Sequence, residues 1–244
     1  MSFMTDLSAG KIPEHIGIIM DGNRRFAKRL MLQPWKGHEW GAKKVREFCE
    51  WCKELGIKRA TFYSFSIQNF GRPKEEFDFI MDLMERNFLE IARGENKDMI
   101  ENEINIKVIG RIWMLPEKVQ KAIRAAEEAT KNYSKFFLNF AIAYGGQEEI
   151  TDAVVKIAKQ VSEGLIDPKI ITEDLVRHTL YTNGQPYPDL IIRTGGERRI
   201  SNFLLWQSAY SEFAFLEKAW PELTKEDFFA AIEDFQKRER RFGK

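Results

Sequence analysis

Short apolar runs and longer amphipathic stretches alternate along almost the whole chain. HIGIIM (15–20) is continuously apolar over strand length, which predicts a strand buried on both faces. GHEWGAKKVREFCEWCKELG (37–56) repeats its apolar positions at helical spacing and stops on Gly56, so it predicts a helix. RATFYSFS (59–66) is β-branched and aromatic and predicts a second strand. Pro73 opens a long helix reaching about residue 100, since a proline in the first turn has no intrahelical bond to lose. Strands over 104–110, 136–144, 189–196 and 211–216 then alternate with helices over 116–132, 146–164 and 224–242. Thr224 and Asp227 are spaced to cap the last of these.

This alternation predicts βαβ units: an α/β fold, a single domain with a central, mostly parallel sheet flanked by helices. No repeat, low-complexity segment or Gly/Ser/Pro-rich linker divides residues 1–244, and residues 1–12 read as a flexible N-terminus. Ligands of such sheets bind beyond the carboxyl ends of the strands, so the residues that follow each strand carry the functional information. After the first strand comes Asp21-Gly-Asn-Arg-Arg25, and after the second Ser64-Phe-Ser-Ile-Gln-Asn-Phe-Gly-Arg72. Gly110-Arg111, Tyr144-Gly-Gly146 and Arg193-Thr-Gly-Gly-Glu-Arg-Arg199 follow the next three. Any one of these is an ordinary polar turn. Five on one sheet edge describe a site for an anion.

Arginine binds phosphate oxygens through a planar, bidentate fork, and glycines let backbone N–H groups approach. A carboxylate beside phosphate is the usual arrangement for Mg²⁺, so Asp21 among arginines points to a Mg²⁺-assisted enzyme acting on phosphates or diphosphates. The chain has no GxxxxGK[ST] and no GxGxxG after a strand, which argues against a P-loop or dinucleotide fold. His15, His38 and His178 lack zinc-site spacing.

Charge narrows the partners. With 38 basic and 37 acidic residues the net charge is +1, which argues against a nucleic-acid binder. Cys49 and Cys52 form a CxxC in mid-helix rather than at a helix N-terminus, so they read as reduced packing residues. MSFMTDLSAGKIPE lacks the apolar core of a signal peptide and no run of about 18 apolar residues occurs, so a cytoplasmic setting is expected.

The helix EEFDFIMDLMERNFLEIA is apolar over more than one stripe. Phe77, Ile80, Met81, Met84, Phe88 and Ile91 share a face, Phe79 and Leu83 lie off it, and Leu89 broadens it. Two readings stand at this point: a core helix that also meets a subunit interface, or the wall of an apolar tunnel with Met and Phe as adaptable lining. A cationic diphosphate end beside such a tunnel would suit an isoprenoid diphosphate.

HIGIIMDGNRRFAK, FSIQNFGRP, AYGG, IIRTGGERRISNFLLWQ, SEFAF and the terminal RERRFG together resemble the cis-prenyltransferases, the undecaprenyl and dehydrodolichyl diphosphate synthases, over about residues 15–243. The resemblance implies a homodimer that adds isopentenyl diphosphate repeatedly to an allylic prenyl diphosphate, each new double bond being cis, with Mg²⁺ as cofactor. It implies that Asp21 is the essential metal and diphosphate carboxylate and that Glu212 is a second acid at the metal. Gly22, Asn23, Arg24, Arg25, His38, Phe65 and Arg72 would bind the allylic substrate. Ser66 and Asn69 would sit between the two substrates as catalytic residues. Arg193, Arg199 and Ser201 would grip isopentenyl diphosphate, and Arg241 and Gly243 would reach a partner subunit's site. The proton acceptor stays open among Asp21, a water held by Asn69 and a diphosphate oxygen. A long product implies a loose, peripheral association with membranes.

Three positions depart from the bacterial pattern. Gln33-Pro34-Trp35 replaces a loop that carries an arginine, leaving Arg24 or Lys36 to compensate; Arg198 stands where a metal-associated His is frequent; and Gln68 replaces a Glu. They imply a non-bacterial or divergent member. Two competing readings are a non-catalytic partner subunit of a heteromeric synthase and a Mg²⁺-dependent phosphatase. Asp21 and the arginines argue against the first, and the lack of a DxD or other phosphatase nucleophile against the second.

Overall fold

A computed structural model of the chain describes residues 10–238. Six strands form one all-parallel sheet in the order β3-β4-β2-β1-β5-β6. They are β1 His15–Ile19, β2 Arg59–Ser66, β3 Ile104–Ile109, β4 Phe136–Tyr144, β5 Leu190–Arg193 and β6 Glu212–Phe215. The helices are α1 Asn23–Arg29, α2 Gly37–Glu54, α3 Lys74–Ala92, α4 Lys97–Glu101, α5 Glu117–Thr130, α6 Gly146–Ser162, α7 Glu173–Thr179 and α8 Lys225–Lys237.

All five residues of β1 are buried, as expected of a strand covered on both faces. Ile16, Ile18 and Ile192 turn to the larger core with Phe48, Trp220 and Phe228, while Ile19 and Ile191 turn to a smaller one with Tyr144 and Phe203. The topology has one decisive feature. From β1 the chain first builds outward through β2 and later returns to β5 on β1's other side. The crevice between the ends of β1 and β5 is thus the point where strand order reverses, where open α/β sheets bind ligands.

The expected elements are present, with differences at their ends. The helix predicted from Pro73 to about residue 100 stops at Ala92 and restarts at Lys97. Gly94 takes a left-handed φ of 67° and its N–H bonds to the Ile91 carbonyl, which closes the helix there. β5 ends at Arg193, three residues early, because Gly195 and Gly196 leave the sheet to bond the Lys218 and Leu216 carbonyls. α1 and α7 were not anticipated; each has seven residues, too few to establish a helical period. Thr224 and Asp227 form the expected capping box on α8.

His15 is enclosed at the amino end of the sheet. Its Nδ1 lies 2.7 Å from the Pro186 carbonyl and its Nε2 2.8 Å from Thr61 Oγ1, which also accepts a bond from Asn139 Nδ2. The carbonyl can only accept, so Nδ1 carries the proton, and in the neutral ring Nε2 accepts from the Thr61 hydroxyl. Burial, aided by the charge of Arg59 and opposed by the Pro186 carbonyl and Asp189, lowers its pKa to about 4. An unfolded histidine protonates near 6.5, so the native state loses about 3 kcal/mol from this group as pH falls from there toward 4. Urea unfolding at about pH 7 and about pH 4.5 should show that loss in the parent and a smaller one in His15→Asn. Equal losses in the two proteins would contradict the assignment.

Candidate active site

Asp21 and Arg193 meet in the crevice between β1 and β5. Arg193 Nη2 donates to Asp21 Oδ2 at 2.8 Å, and its Nη1 donates to Ser201 Oγ at 2.8 Å and to the Arg199 carbonyl. Arg193 is buried, whereas the Asp21 side chain is 31% exposed, so the pair presents a carboxylate to solvent with its cation behind. The Gly22 N–H donates to Asp21 Oδ1 at 2.6 Å. Thr194 Oγ1 donates to the Asp21 carbonyl at 2.9 Å and accepts from its N–H, and Trp220 N–H donates to the same carbonyl. The backbone that carries Asp21 is therefore fixed from two sides.

Gly22 has φ 98°, and a Cβ there would lie 2.6 Å from Ala219 Cβ, so a side chain is excluded by strain and by space. Its turn starts α1, which projects Arg24 and Arg25 over the crevice. Arg25 Nη2 lies 3.5 Å from Asp21 Oδ1 and donates to the Gly195 carbonyl at 2.6 Å. Asn23 Nδ2 donates to the Met20 carbonyl, while its buried Oδ1 has no partner among the described residues. Gly41 of α2 allows this packing, because a Cβ there would lie 2.5 Å from that oxygen.

A second cluster forms around Glu76, in the first turn of α3 and only 1% exposed. Arg72 Nη1 donates to Glu76 Oε1 at 2.8 Å; Arg24 Nε and His38 Nε2 stand 3.7 and 3.6 Å from the same carboxylate. Arg72 Nη1 is also 3.0 Å from His38 Nε2. Burial lowers the His38 pKa, the nearby charges of Arg72 and Arg24 add to this, and Glu76 opposes it. The His38 ring and the two guanidinium groups hold the Glu76 carboxyl below its ordinary range. Sequence reasoning missed Glu76. Its spacing of four residues from Arg72 was the available signal.

Ser66 ends β2, and its N–H donates to Asn69 Oδ1 at 3.0 Å across a 3₁₀ turn. Arg199 is exposed and paired with Glu197. Ser201 has a left-handed φ of 48°, and Asn202 beside it pins the loop to α6. The Asn202 Oδ1 accepts from Gln147 N–H and its Nδ2 donates to Glu148. Asn202 was also missed as a positioning residue, although it stands inside the quoted ISN run.

Two expected residues lie elsewhere. Phe65 is 1% exposed and packs on Phe70 and Phe77, with ring centroids 5.2 and 6.1 Å away, so it supports the wall rather than lining the site. The β2–β4 register shifts on both sides of Phe65, and this irregularity redirects its side chain. Glu212 is the first residue of β6, paired with Leu190, and its carboxylate accepts from Arg238 Nη1 at 3.0 Å. It thus sits about 10 Å along the strands from the edge that holds Arg193, and it is not a second acid beside Asp21 in this chain. Arg241 and Gly243 lie outside the described residues.

Among the described residues no group of three or more His, Cys, Asp or Glu side chains could hold a metal. A lone carboxylate beside arginines nevertheless fits Mg²⁺, which takes one or two protein oxygens and completes its shell with phosphate and water. It does not fit a structural zinc site, which needs four protein ligands.

Both clusters open into one cavity of about 740 Å³. Asp21, Arg24, Arg25, His38, Arg72 and Arg193 are at its polar end. Ala42, Val45 and Cys49 of α2 face Ile80, Leu83, Met84, Phe88 and Ile91 of α3 along its length. Leu138, Phe140 and Ile142 of β4 form its floor and Met99 and Ile104 its far end. From Ile80 to Ile91 the wall runs about 16 Å. Of the two readings of this apolar helix, the tunnel wall accounts for Ile80, Leu83, Met84, Phe88 and Ile91. Phe77 and Met81 pack in the core. Cys49 faces the cavity as a reduced thiol whose pKa burial pushes up to about 12.

The family model described as "Putative undecaprenyl diphosphate synthase" matches residues 19–243. A protein of Methanocaldococcus jannaschii named tritrans,polycis-undecaprenyl-diphosphate synthase (geranylgeranyl-diphosphate specific) is 53% identical over 235 residues, covering 96% of this chain and 83% of that one. A protein of the same name from Methanopyrus kandleri is 51% identical, covering 96% of this chain and 86% of its own length. The crystal structure of lavandulyl diphosphate synthase from Lavandula x intermedia, in complex with dimethylallyl diphosphate, superimposes with a TM-score of 0.89 at 36% identity, covering 96% of this chain and 99% of that one.

Proposed function

The chain belongs to the cis-prenyltransferase family of undecaprenyl diphosphate synthases, and from that premise we propose that it extends geranylgeranyl diphosphate with successive isopentenyl diphosphate units to an undecaprenyl-type product. The observation that carries this reading is a single cavity with guanidinium groups at one end and an apolar wall of helix α3 along its length. The names of the archaeal relatives support the choice of primer.

In this reading Gly22, Asn23, Arg24, Arg25, His38 and Arg72 hold the allylic diphosphate, and Arg193, Arg199 and Ser201 hold isopentenyl diphosphate. Two diphosphates repel each other, so holding them side by side is the main task of the cations, and it supplies much of the rate enhancement. The allylic C–O bond breaks with its electron pair leaving on diphosphate. The double bond of isopentenyl diphosphate then attacks the allylic carbon, and a proton departs from the adjacent carbon. Mg²⁺ held by Asp21 and phosphate oxygens would neutralise charge on the departing diphosphate. Arg24, Arg25 and Arg72 add positive charge where it develops. Ser66 and Asn69 stand at the polar end of the cavity, where the proton is lost. The growing tail advances between α2 and α3. The enzyme acts as a homodimer, with Arg241 and Gly243 reaching the partner's site. Among the described residues no helix is long and apolar enough to cross a membrane; a long polyprenyl product would call for peripheral contact with membranes.

The purified chain, given geranylgeranyl diphosphate, radiolabelled isopentenyl diphosphate and Mg²⁺, should form long polyprenyl diphosphates identifiable by mass spectrometry. Turnover only on adding a second protein would favour the partner-subunit reading. Val45→Trp narrows the cavity halfway along its wall and should shorten the product by several units. An unchanged product distribution would remove the tail from this cavity.

A further inference from the structure

The corner between α1 and α2 exposes an apolar tip. Leu30, Met31 and Leu32 are 48%, 96% and 42% exposed, and Trp40 on the neighbouring helix is 48% exposed. Met31 caps α1 in a left-handed conformation with φ 56°, its N–H bonded to the Lys28 carbonyl and the Leu32 N–H to the Ala27 carbonyl. Glycine is the usual residue in that role, so the chain puts methionine where glycine would be easier and then leaves it in solvent. Trp40 meets Phe26 of α1 edge-on at 5.7 Å, with Lys43 5.7 Å from its ring.

The sequence around the tip is basic, although Arg24, Arg25, Lys44 and Arg46 are paired with Glu76, Asp21, Glu47 and Glu90. Residues 22–46 carry eight Lys or Arg and one acid, Glu39, in a chain that balances 38 basic against 37 acidic residues overall. Arg29 is neutralised by Glu222 and Lys36 stands 3.5 Å from Glu39, but Lys28 and Lys43 are exposed and have no carboxylate within salt-bridge distance among the described residues. Lys28 also borders the cavity that holds Asp21 and Arg25. Apolar tips and amphipathic indoles flanked by cations match the layered chemistry of a bilayer surface: acyl chains, interface, anionic headgroups.

We propose that the α1–α2 corner, residues 28–40, docks on an anionic lipid bilayer, with Leu30, Met31 and Leu32 inserted below the headgroups and Lys28 and Lys43 among them. Docking sets the polar end of the cavity against the membrane surface. The proposal does not depend on the prenyl-transfer chemistry, because none of the inserted residues touches the candidate site.

Co-sedimentation of the full chain with vesicles of phosphatidylglycerol and phosphatidylcholine tests it. Binding to these vesicles should exceed binding to phosphatidylcholine alone by roughly tenfold, and about 0.5 M salt should release most of the protein. The triple variant Leu30→Ser, Met31→Gly, Leu32→Ser should bind roughly tenfold less, with turnover of a short soluble primer in vesicle-free buffer unchanged. Equal sedimentation of parent and variant, or no preference for anionic vesicles, would overturn the proposal. Sedimentation velocity adds one further refuting result: self-association that the variant loses, with no vesicle binding by the parent, would assign the tip to a second copy of this chain.

Discussion

Asp21→Ala is expected to lower isopentenyl incorporation by about 10³-fold or more while the protein stays folded. Asp21 is a carboxylate that faces solvent at the strand-order reversal, with Arg193 behind it at 2.8 Å and the Gly22 N–H on its other oxygen. Its removal would delete the carboxylate proposed to hold Mg²⁺ and would free the Arg193 fork to turn. The fold should survive, because Arg193 Nη1 keeps Ser201 Oγ and the Arg199 carbonyl, and Thr194 and Trp220 grip the Asp21 backbone rather than its side chain. The stability cost should be about 3 kcal/mol, the lower end of the penalty for a buried cation losing its compensating charge, since the Asp21 side of the pair is 31% exposed. Asp21→Asn separates charge from shape: it keeps an acceptor for Arg193 but has no charge for a cation, so it should be nearly as inactive as the alanine variant. Single-turnover incorporation of radiolabel, with thermal unfolding run beside it, reads both quantities. Activity within about tenfold of the parent in Asp21→Asn would show that the negative charge is not what the site uses.

What made Asp21 and Arg193 legible was their position at the ends of apolar runs. A buried parallel strand reads as a continuous apolar segment, and the polar residue that ends it falls on the ligand edge. The alternation of strands and helices carried the α/β fold for the same reason, whereas the width of the α3 apolar face left a core helix and a tunnel wall both open. Glu212 shows the limit of the rule, since only residues after a strand converge, and it begins one. Phe65 shows another: strict alternation predicts a side chain's direction until an irregular register shifts it. Glu76 was hidden differently. An acid in the first turn after a proline resembles an exposed charge complementing the helix dipole. That it is buried beneath Arg24, Arg72 and His38 depends on how α1, α2 and α3 meet, which no local pattern records.

Glu76→Ala is expected to have the next-largest effect, on stability and on the allylic substrate together. Its carboxylate is almost completely buried and faces three groups that are cationic or can become so. Removing one partner of a buried ion pair costs about 3–5 kcal/mol, because the remaining charge has lost its compensation. The lower end of that range applies here, since the Arg24 and Arg72 side chains are 48% and 21% exposed and water screens them. The arginines would remain in the chain without the group that aims them, so the Michaelis constant for the allylic diphosphate should rise by roughly 10–100-fold while that for isopentenyl diphosphate changes little. Glu76→Gln keeps an acceptor for Arg72 Nη1 and should recover part of the stability and part of the substrate affinity. The carboxyl is held below its ordinary range in the native state, so its contribution is present above the ordinary glutamate range and is lost as pH falls through the native value. The acid limb of the stability profile should accordingly flatten in Glu76→Gln. Equal rises in both Michaelis constants would mean general loosening of the fold, and unchanged constants would mean that Arg24 and Arg72 need no such anchor.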